Sequence, residues 1–292
     1  MSAPVVVGYD TSEQSVAAVR WAAQEALRSR SELVVVHVWG FAHQPESAAS
    51  RTWLREQVLA GVQAVADEGA FLAAEAAPGV VVTAVVGHGS PAQALVDRST
   101  EARMLVLGRH GTGWFQEMVL GSVAVAAVQH ATCPVAVVPQ EAVGRDPRGL
   151  VVVGTDGSAG GDGALVTAAE QAVLRGADLR VVTTWTSTPV TSSMSYWVEA
   201  YPDVTPDEVA MAAAERVQET AREGFAQDYP DLEVSWDVAE GPASHVLVRA
   251  SSDADLTVVG ARGLGGLAGL LLGSVSRGVV RGAHSPVLVT RS

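Results

Sequence analysis

No lysine occurs among the 292 residues; all 19 basic side chains are arginine. That absence removes every mechanism built on a lysine amine: the P-loop phosphate clamp, the pyridoxal Schiff base and the strand lysine of protein kinases. Cysteine is almost as scarce. Cys133 stands alone, so no disulfide forms within the chain, which suits a reducing compartment. It reads as a small buried residue beside a strand, with a nucleophile as the alternative. Positive charge is short as well. Against 32 acidic residues the arginines leave a formal charge of -13 and form no cluster, so a nucleic-acid backbone would be repelled. No apolar run approaches the length that crosses a bilayer, and no membrane partner is expected. The first residues enter a strand and meet Asp10 and Glu13 almost at once, without the charged and apolar regions of a secretion signal. The cytoplasm is the expected location. The histidines show neither H-x-x-x-H nor H-x-E spacing, so zinc chemistry has no support.

What the chain does have, it has twice. At roughly 150 residues per domain its length suits two domains, and the two halves open alike. Val5-Val6-Val7-Gly8-Tyr9-Asp10-Thr11-Ser12 is answered, 146 residues on, by Val151-Val152-Val153-Gly154-Thr155-Asp156-Gly157-Ser158. Later, at an offset of 152, Leu105-Val106-Leu107-Gly108 is answered by Thr257-Val258-Val259-Gly260, and Cys133-Pro134-Val135 by Ser285-Pro286-Val287. The six extra residues are expected in the polar stretch Thr186 to Asp207, and the domain boundary near Gln140 to Gly149, giving domains 1-140 and 149-292. Short β-branched runs alternate with longer amphipathic ones, the pattern of a parallel sheet with helical crossovers. Strands are expected at Pro4 to Tyr9, Leu33 to Val38, Val80 to Val86, Met104 to Leu107 and Val135 to Val138. Their second-half counterparts are Leu150 to Thr155, Leu179 to Thr184, Glu233 to Val238, Leu256 to Val259 and Val287 to Thr290. Helical spacing marks Ser15 to Arg28, Arg51 to Ala77, Pro91 to Ala102 and Val123 to Ala131. Such doubly wound sheets take ligands at the carboxyl ends of their strands, where the strand order reverses.

The densest motif lies there. Gly108-Arg109-His110-Gly111, nine residues, then Gly121-Ser122 in the first half matches Gly260-Ala261-Arg262-Gly263, nine residues, then Gly273-Ser274 in the second. Glycine after a buried strand permits a sharp turn or lets a ligand lie against the backbone; a methyl on Gly111 or Gly263 would then stand where the ligand lies. The Gly-Ser pairs precede helical patterns, which aims bare amides and a partial positive charge at an anion, phosphate above all. Ser122 and Ser274 also suit ordinary N-caps, but a cap needs no such fixed spacing. Asp10 and Asp156 close the first strands. Beside phosphates they take a ribose hydroxyl or help to hold a divalent cation; otherwise they cap the following helices in competition with Ser12 and Ser158. The second strands end in Val38-Trp39 and Thr184-Trp185, an apolar wall for an adenine or part of the core.

The motif G-x2-G-x9-G-[ST] after a fourth strand, with an Asp closing the first, resembles the universal stress protein family, in tandem over nearly the whole chain. The resemblance implies two tandem α/β domains, Rossmann-like and doubly wound, with five parallel strands in the order 3-2-1-4-5 and a pseudo-twofold relation. It also implies ATP as ligand, one per domain, with Mg2+ or Mn2+ bridged through the phosphates. Carried over by position, Asp10 and Val38 contact the nucleoside and Gly108, Gly111, Gly121 and Ser122 surround ribose and phosphates; the second set is Asp156, Thr184, Gly260, Gly263, Gly273 and Ser274. Arg109 departs from the small residue often found there and matched by Ala261, and Thr184 replaces an apolar residue at the base wall. By the same resemblance the fifth strands pair edge to edge, the chain forms a homodimer, and a regulatory protein partner is implied.

Gly263-Leu264-Gly265-Gly266-Leu267-Ala268 fits a dinucleotide fingerprint, but it follows the fourth strand rather than the first and lacks the acidic residue downstream. An enzyme is poorly provided for. His110 and Arg262 share one slot, so no general base is common to both copies. The expected function is a nucleotide-sensing stress-response regulator. The alternatives are a slow ATPase or self-phosphorylating enzyme acting on Ser122 or Ser274, and a nucleotide-free interaction scaffold.

Overall fold

The structure, a computed structural model, describes residues 2–40, 51–111, 120–187, 204–265 and 272–291, and of 51–57 and 226 the backbone only. The first repeat runs β1 (Val5–Gly8), α1 (Glu13–Arg28), β2 (Leu33–Trp39), α2 (Arg51–Ala76), β3 (Val82–His88), α3 (Pro91–Arg98), β4 (Met104–Gly108), α4 (Ser122–His130) and β5 (Val135–Val138). The second runs β6 (Leu150–Gly154), α5 (Ala159–Arg175), β7 (Asp178–Trp185), α6 (Pro206–Asp228), β8 (Val234–Glu240), α7 (Ala243–Ala250), β9 (Leu256–Gly260), α8 (Ser274–Gly282) and β10 (Val287–Thr290). Of the expected insert, 188–203 lies outside the described residues; α6 begins just after it, at a Thr205/Glu208 capping box with Pro206 in its first turn.

The chain divides into two compact units, Met1–Asp146 with Pro286–Val289, and Pro147–Ser285 with Thr290–Ser292. In the first unit the strands lie in the order β3-β2-β1-β4-β5-β10. They are parallel through β5, with Val5 level with Leu33 on one side and Met104 on the other. The order 3-2-1-4-5 is therefore present, extended by a sixth strand. β10 runs antiparallel to β5, Leu288 level with Ala136. The reason is visible in β5 itself: Val135-Ala136-Val137-Val138 is wholly apolar and buried, and such an edge needs a neighbour. Val287, Leu288 and Val289, equally buried, supply it. The two fifth strands thus pair, and most of the second repeat's fifth strand belongs to the first unit.

In the second unit the parallel order is β9-β6-β7-β8, the counterpart of 4-1-2-3. Both units are built on the same economy of size. Val5 and Val7 in one and Val151 to Val153 in the other are fully buried, as central parallel strands covered on both faces must be. Over them lie alanine stripes, Ala18, Ala22 and Ala26 on α1 and Ala164, Ala168 and Ala172 on α5, all at 0% exposure. Small side chains at i, i+4 and i+8 bring each helix close to its sheet, so a core forms with few aromatics. The strand order reverses between β1 and β4 and between β6 and β9, and a crevice opens there at the carboxyl ends.

Candidate functional site

Each crevice begins with a helix cap. Ser12 Oγ accepts from the Ser15 amide at 3.2 Å, and Ser158 Oγ from the Gly161 amide at 3.1 Å. The serines therefore do the capping, and the aspartates brace the caps. Asp10 Oδ1 accepts from the Ser12 amide at 3.1 Å and its hydroxyl at 2.5 Å; Asp156 Oδ1 accepts from Ser158 at the same two distances. Asp156 Oδ2 also accepts from the Leu264 amide at 2.8 Å. A carboxylate offers about four acceptor sites, so one remains for a hydroxyl donor. The backbone swings away in the left-handed region, at Thr11 in one copy (φ 68) and Gly157 in the other (φ 73).

The three glycines of each motif serve different ends. A Cβ on Gly108 would lie 2.8 Å from the carbonyl of Gln14, and one on Gly260 would lie 2.6 Å from the Gly160 oxygen. The first glycine thus lets the opening turn of α1 or α5 close over the fourth strand. A Cβ on Gly111 or Gly263 would strike Oδ2 of Asp10 or Asp156. This corrects the expectation that ligand contact explains the second glycine: the protein's own carboxylate fills that space. The third glycine is different. A Cβ on Gly121 or Gly273 would meet its nearest neighbours at an ordinary 3.4 Å, and φ there, -59° and -72°, suits any residue. Nothing in the packing of the described residues asks for glycine at that point.

Gly121 and Gly273 are the N-caps of α4 and α8, and no side chain caps either helix. Ser122 and Ser274 are consequently the first helical residues rather than N-caps, which removes the capping explanation for them. Neither hydroxyl has a hydrogen-bond partner among the described residues. The amide of Gly121 is tied to Arg109 O at 2.9 Å and that of Gly273 to Ala261 O at 2.8 Å, which fixes where each helix starts.

Two cavities result, about 730 Å³ in the first unit and about 480 Å³ in the second. Asp10, Val38, Gly108, Gly111, Gly121 and Ser122 all line the first; Asp156, Thr184, Gly260, Gly263, Gly273 and Ser274 all line the second. Trp39 and Trp185 line neither. The walls also hold residues that the sequence reading missed. Leu95 and Leu247 are one such pair, and the 152-residue offset relates them. Tyr9 and His37 are another addition; the second copy carries Thr155 and Thr183 instead, so repetition gave no signal. His37 Nδ1 donates to the Tyr9 carbonyl at 2.8 Å, which fixes the ring and its tautomer. Burial, and next Glu68, raise the Tyr9 phenol to about 12.

Arg109 turns away from a free role: its guanidinium pairs with Glu141 at 3.4 Å, and burial lowers its pKa. Cys133 is buried, which pushes its thiol up to about 11 and leaves it protonated and inert at neutral pH. Among the described residues no group of three or more His, Cys, Asp or Glu side chains is placed to hold a metal, and no helix is long and apolar enough to cross a membrane.

The model of the universal stress protein family matches residues 1–139 and 148–291. A universal stress protein of Mycobacterium tuberculosis is 37% identical over 294 residues, covering 98% of this chain and 96% of the relative. A second from the same species is 33% identical over 301 residues, with the same coverage. The crystal structure of a universal stress protein from Archaeoglobus fulgidus superposes with a TM-score of 0.70 at 19% identity, covering 100% of this chain and 99% of that one, a likeness of fold. With both halves matched and full-length relatives above 30% identity, the chain belongs to the universal stress protein family.

Proposed function

We propose that each half binds one adenine nucleotide, ATP with Mg2+ or Mn2+ on its phosphates, and that the chain is a cytoplasmic nucleotide-sensing stress-response regulator, working as a homodimer with a regulatory protein partner. One observation carries the nucleotide reading. In both copies a helix start without a side-chain cap faces a cavity across a glycine that the packing of the described residues does not require. The amides of Ser122, Val123 and Ala124, or of Ser274, Val275 and Ser276, are the donors for the phosphates, and the dipole adds a favourable field. The serine hydroxyl adds one charge-assisted bond. The remaining acceptor site on Asp156, and Asp10 by equivalence, takes a ribose hydroxyl. Val36 and Val38, or Val182 and Thr184, wall the base.

The same residues fit a cation only at second hand. Asp156 is already engaged by three protein donors, so Mg2+ or Mn2+ rides on the phosphates rather than in a protein cage. Its chemistry there is charge neutralisation. Binding rather than turnover follows from the unmatched His110 and Arg262, since hydrolysis would need a positioned base in each copy.

The test is calorimetric titration with ATP of the intact chain, Ser122→Ala and Ser274→Ala. Each replacement should remove a bond worth about 1.5–3 kcal/mol, weakening its own site roughly ten- to a hundredfold. Unchanged affinity in both variants would reject the phosphate assignment. A protein whose melting temperature ATP does not raise, and which releases no nucleotide on denaturation, is the scaffold instead.

A further inference from the structure

We infer that the two cavities read different features of their ligands: the second selects nucleotides by phosphate number through Arg262 and Arg277, and the first does so weakly or not at all. The inference rests on the nucleotide reading above and divides it between the two copies.

The two walls draw on the same positions but not always on the same side chains: Tyr9, Ser15, Val38 and Pro91 of the first answer Thr155, Gly161, Thr184 and Ala243 of the second, and the charged side chains differ most in kind. Arg262 and Arg277 both line the second cavity. Their counterparts in the first repeat are His110, which lines that cavity, and Val125, which does not. The first cavity does have an arginine of its own, Arg109, but Glu141 takes its guanidinium. Arg262 and Arg277 have no carboxylate partner among the described residues. In a chain with a formal charge of -13, two exposed arginines on one cavity wall without counter-ions mark a place kept positive.

The surroundings push the same way. Burial first, and then repulsion from nearby Arg262, lowers the Arg291 pKa, so a third guanidinium lies close to those of the second site. At the first site the nearby extra charge is a carboxylate: Glu68 on α2 bonds the Tyr9 phenol, beside Asp10. Each further phosphate brings about one more negative charge, so its attraction scales with the local positive potential. The second site therefore gains with each phosphate added. At the first site the helix start holds one phosphate, and among the described residues the one arginine on the wall, Arg109, is already paired with Glu141.

The test isolates each site. A leucine at Gly121 or Gly273 starts from a Cβ with ordinary contacts and an allowed φ, so it fills the cavity rather than breaking the turn. Gly121→Leu leaves the second site, and Gly273→Leu leaves the first. Each protein is titrated calorimetrically with adenosine, AMP, ADP and ATP in EDTA. With only the second site open, ATP should bind about tenfold or more tighter than AMP, and with only the first open the two should agree within about threefold. Arg262→Gln with Arg277→Gln, added to Gly121→Leu, should bring the ratio down to that of the first site. Conversely, His110→Arg added to Gly273→Leu should raise it. The unmodified chain offers a second readout that needs no variant to fold: ATP should give two classes of site and AMP one. Equal ATP-to-AMP ratios at the two sites, or a ratio that survives loss of both arginines, overturn this proposal and leave the nucleotide reading intact. Failure of the unmodified chain to bind any of the four ligands overturns both.

Discussion

Thr11 holds a left-handed φ of 68 with an exposed side chain, at the position where the second repeat has Gly157 at φ 73. For a β-branched residue that conformation costs roughly 1–2 kcal/mol. Glycine gives back about 0.5–1 kcal/mol through the entropy of the unfolded chain. Thr11→Gly should therefore stabilise the protein by about 0.5–1 kcal/mol, and Gly157→Thr should destabilise it, the more so because a Cβ there would press on Val217 at 3.3 Å. Urea unfolding checks both, and a lower midpoint for Thr11→Gly would count against the strain. The sequence aligns Thr11 with Gly157 but carries no sign of φ. The glycine motif was similarly half legible. Its spacing located eight residues that do line two cavities, yet the need for Gly111 and Gly263 lies in Asp10 and Asp156, about a hundred residues away along the chain, and only the folded contact reveals it.

Between residue and domain, the helix starts divide into two kinds. Those of α1 and α5 are closed by Ser12 and Ser158, themselves held by aspartate; those of α4 and α8 are left open. Ser158→Ala should cost about 1–2 kcal/mol in unfolding free energy, whereas Ser158→Gly should cost only a few tenths, since glycine leaves the cap amides accessible to water. Equal losses for the two would show that Asp156 caps the helix once its serine is gone. Element type was readable from valine runs and helical spacing, but ends were not, because ends are set by tertiary partners. The helix expected at Pro91 to Ala102 stops at Arg98. There the hydroxyl of Ser99 donates to Val96 O at 2.6 Å and accepts from the Thr132 amide at 2.9 Å. Ser251 does the same for Val248 O and the His284 amide in the second repeat. β3 and β8 run on past their expected ends to His88 and Glu240 because β2 and β7 pair with them as far as Trp39 and Trp185. The pairing of β10 with β5 was expected through the family resemblance alone, and its physical reason, the buried apolar edge of β5, shows only in the fold.

At the scale of the whole molecule, duplication has not made the halves equal in their response to pH. Two groups of the first repeat are buried in forms that must stay neutral: Cys133, raised from about 9 to about 11, and Tyr9, raised from about 10 to about 12. Serine and threonine replace them in the second, at Ser285 and Thr155. A group whose folded pKa lies above its unfolded one favours the folded state fully while both forms are protonated. That contribution fades as pH climbs through the interval between the two values. Loss should therefore begin near pH 9 with Cys133, continue from pH 10 with Tyr9, and amount to roughly 3 kcal/mol by pH 11. Growing self-repulsion of an already anionic chain adds to it without regard to repeat. Urea unfolding at pH 8 and pH 11 separates the two effects: Tyr9→Phe combined with Cys133→Ala should remove the roughly 3 kcal/mol and leave the general part. If that double variant loses as much stability as the parent chain between the two pH values, the alkaline fall comes from overall charge rather than from these two buried groups. If it loses less, Tyr9 and Cys133 carry the difference.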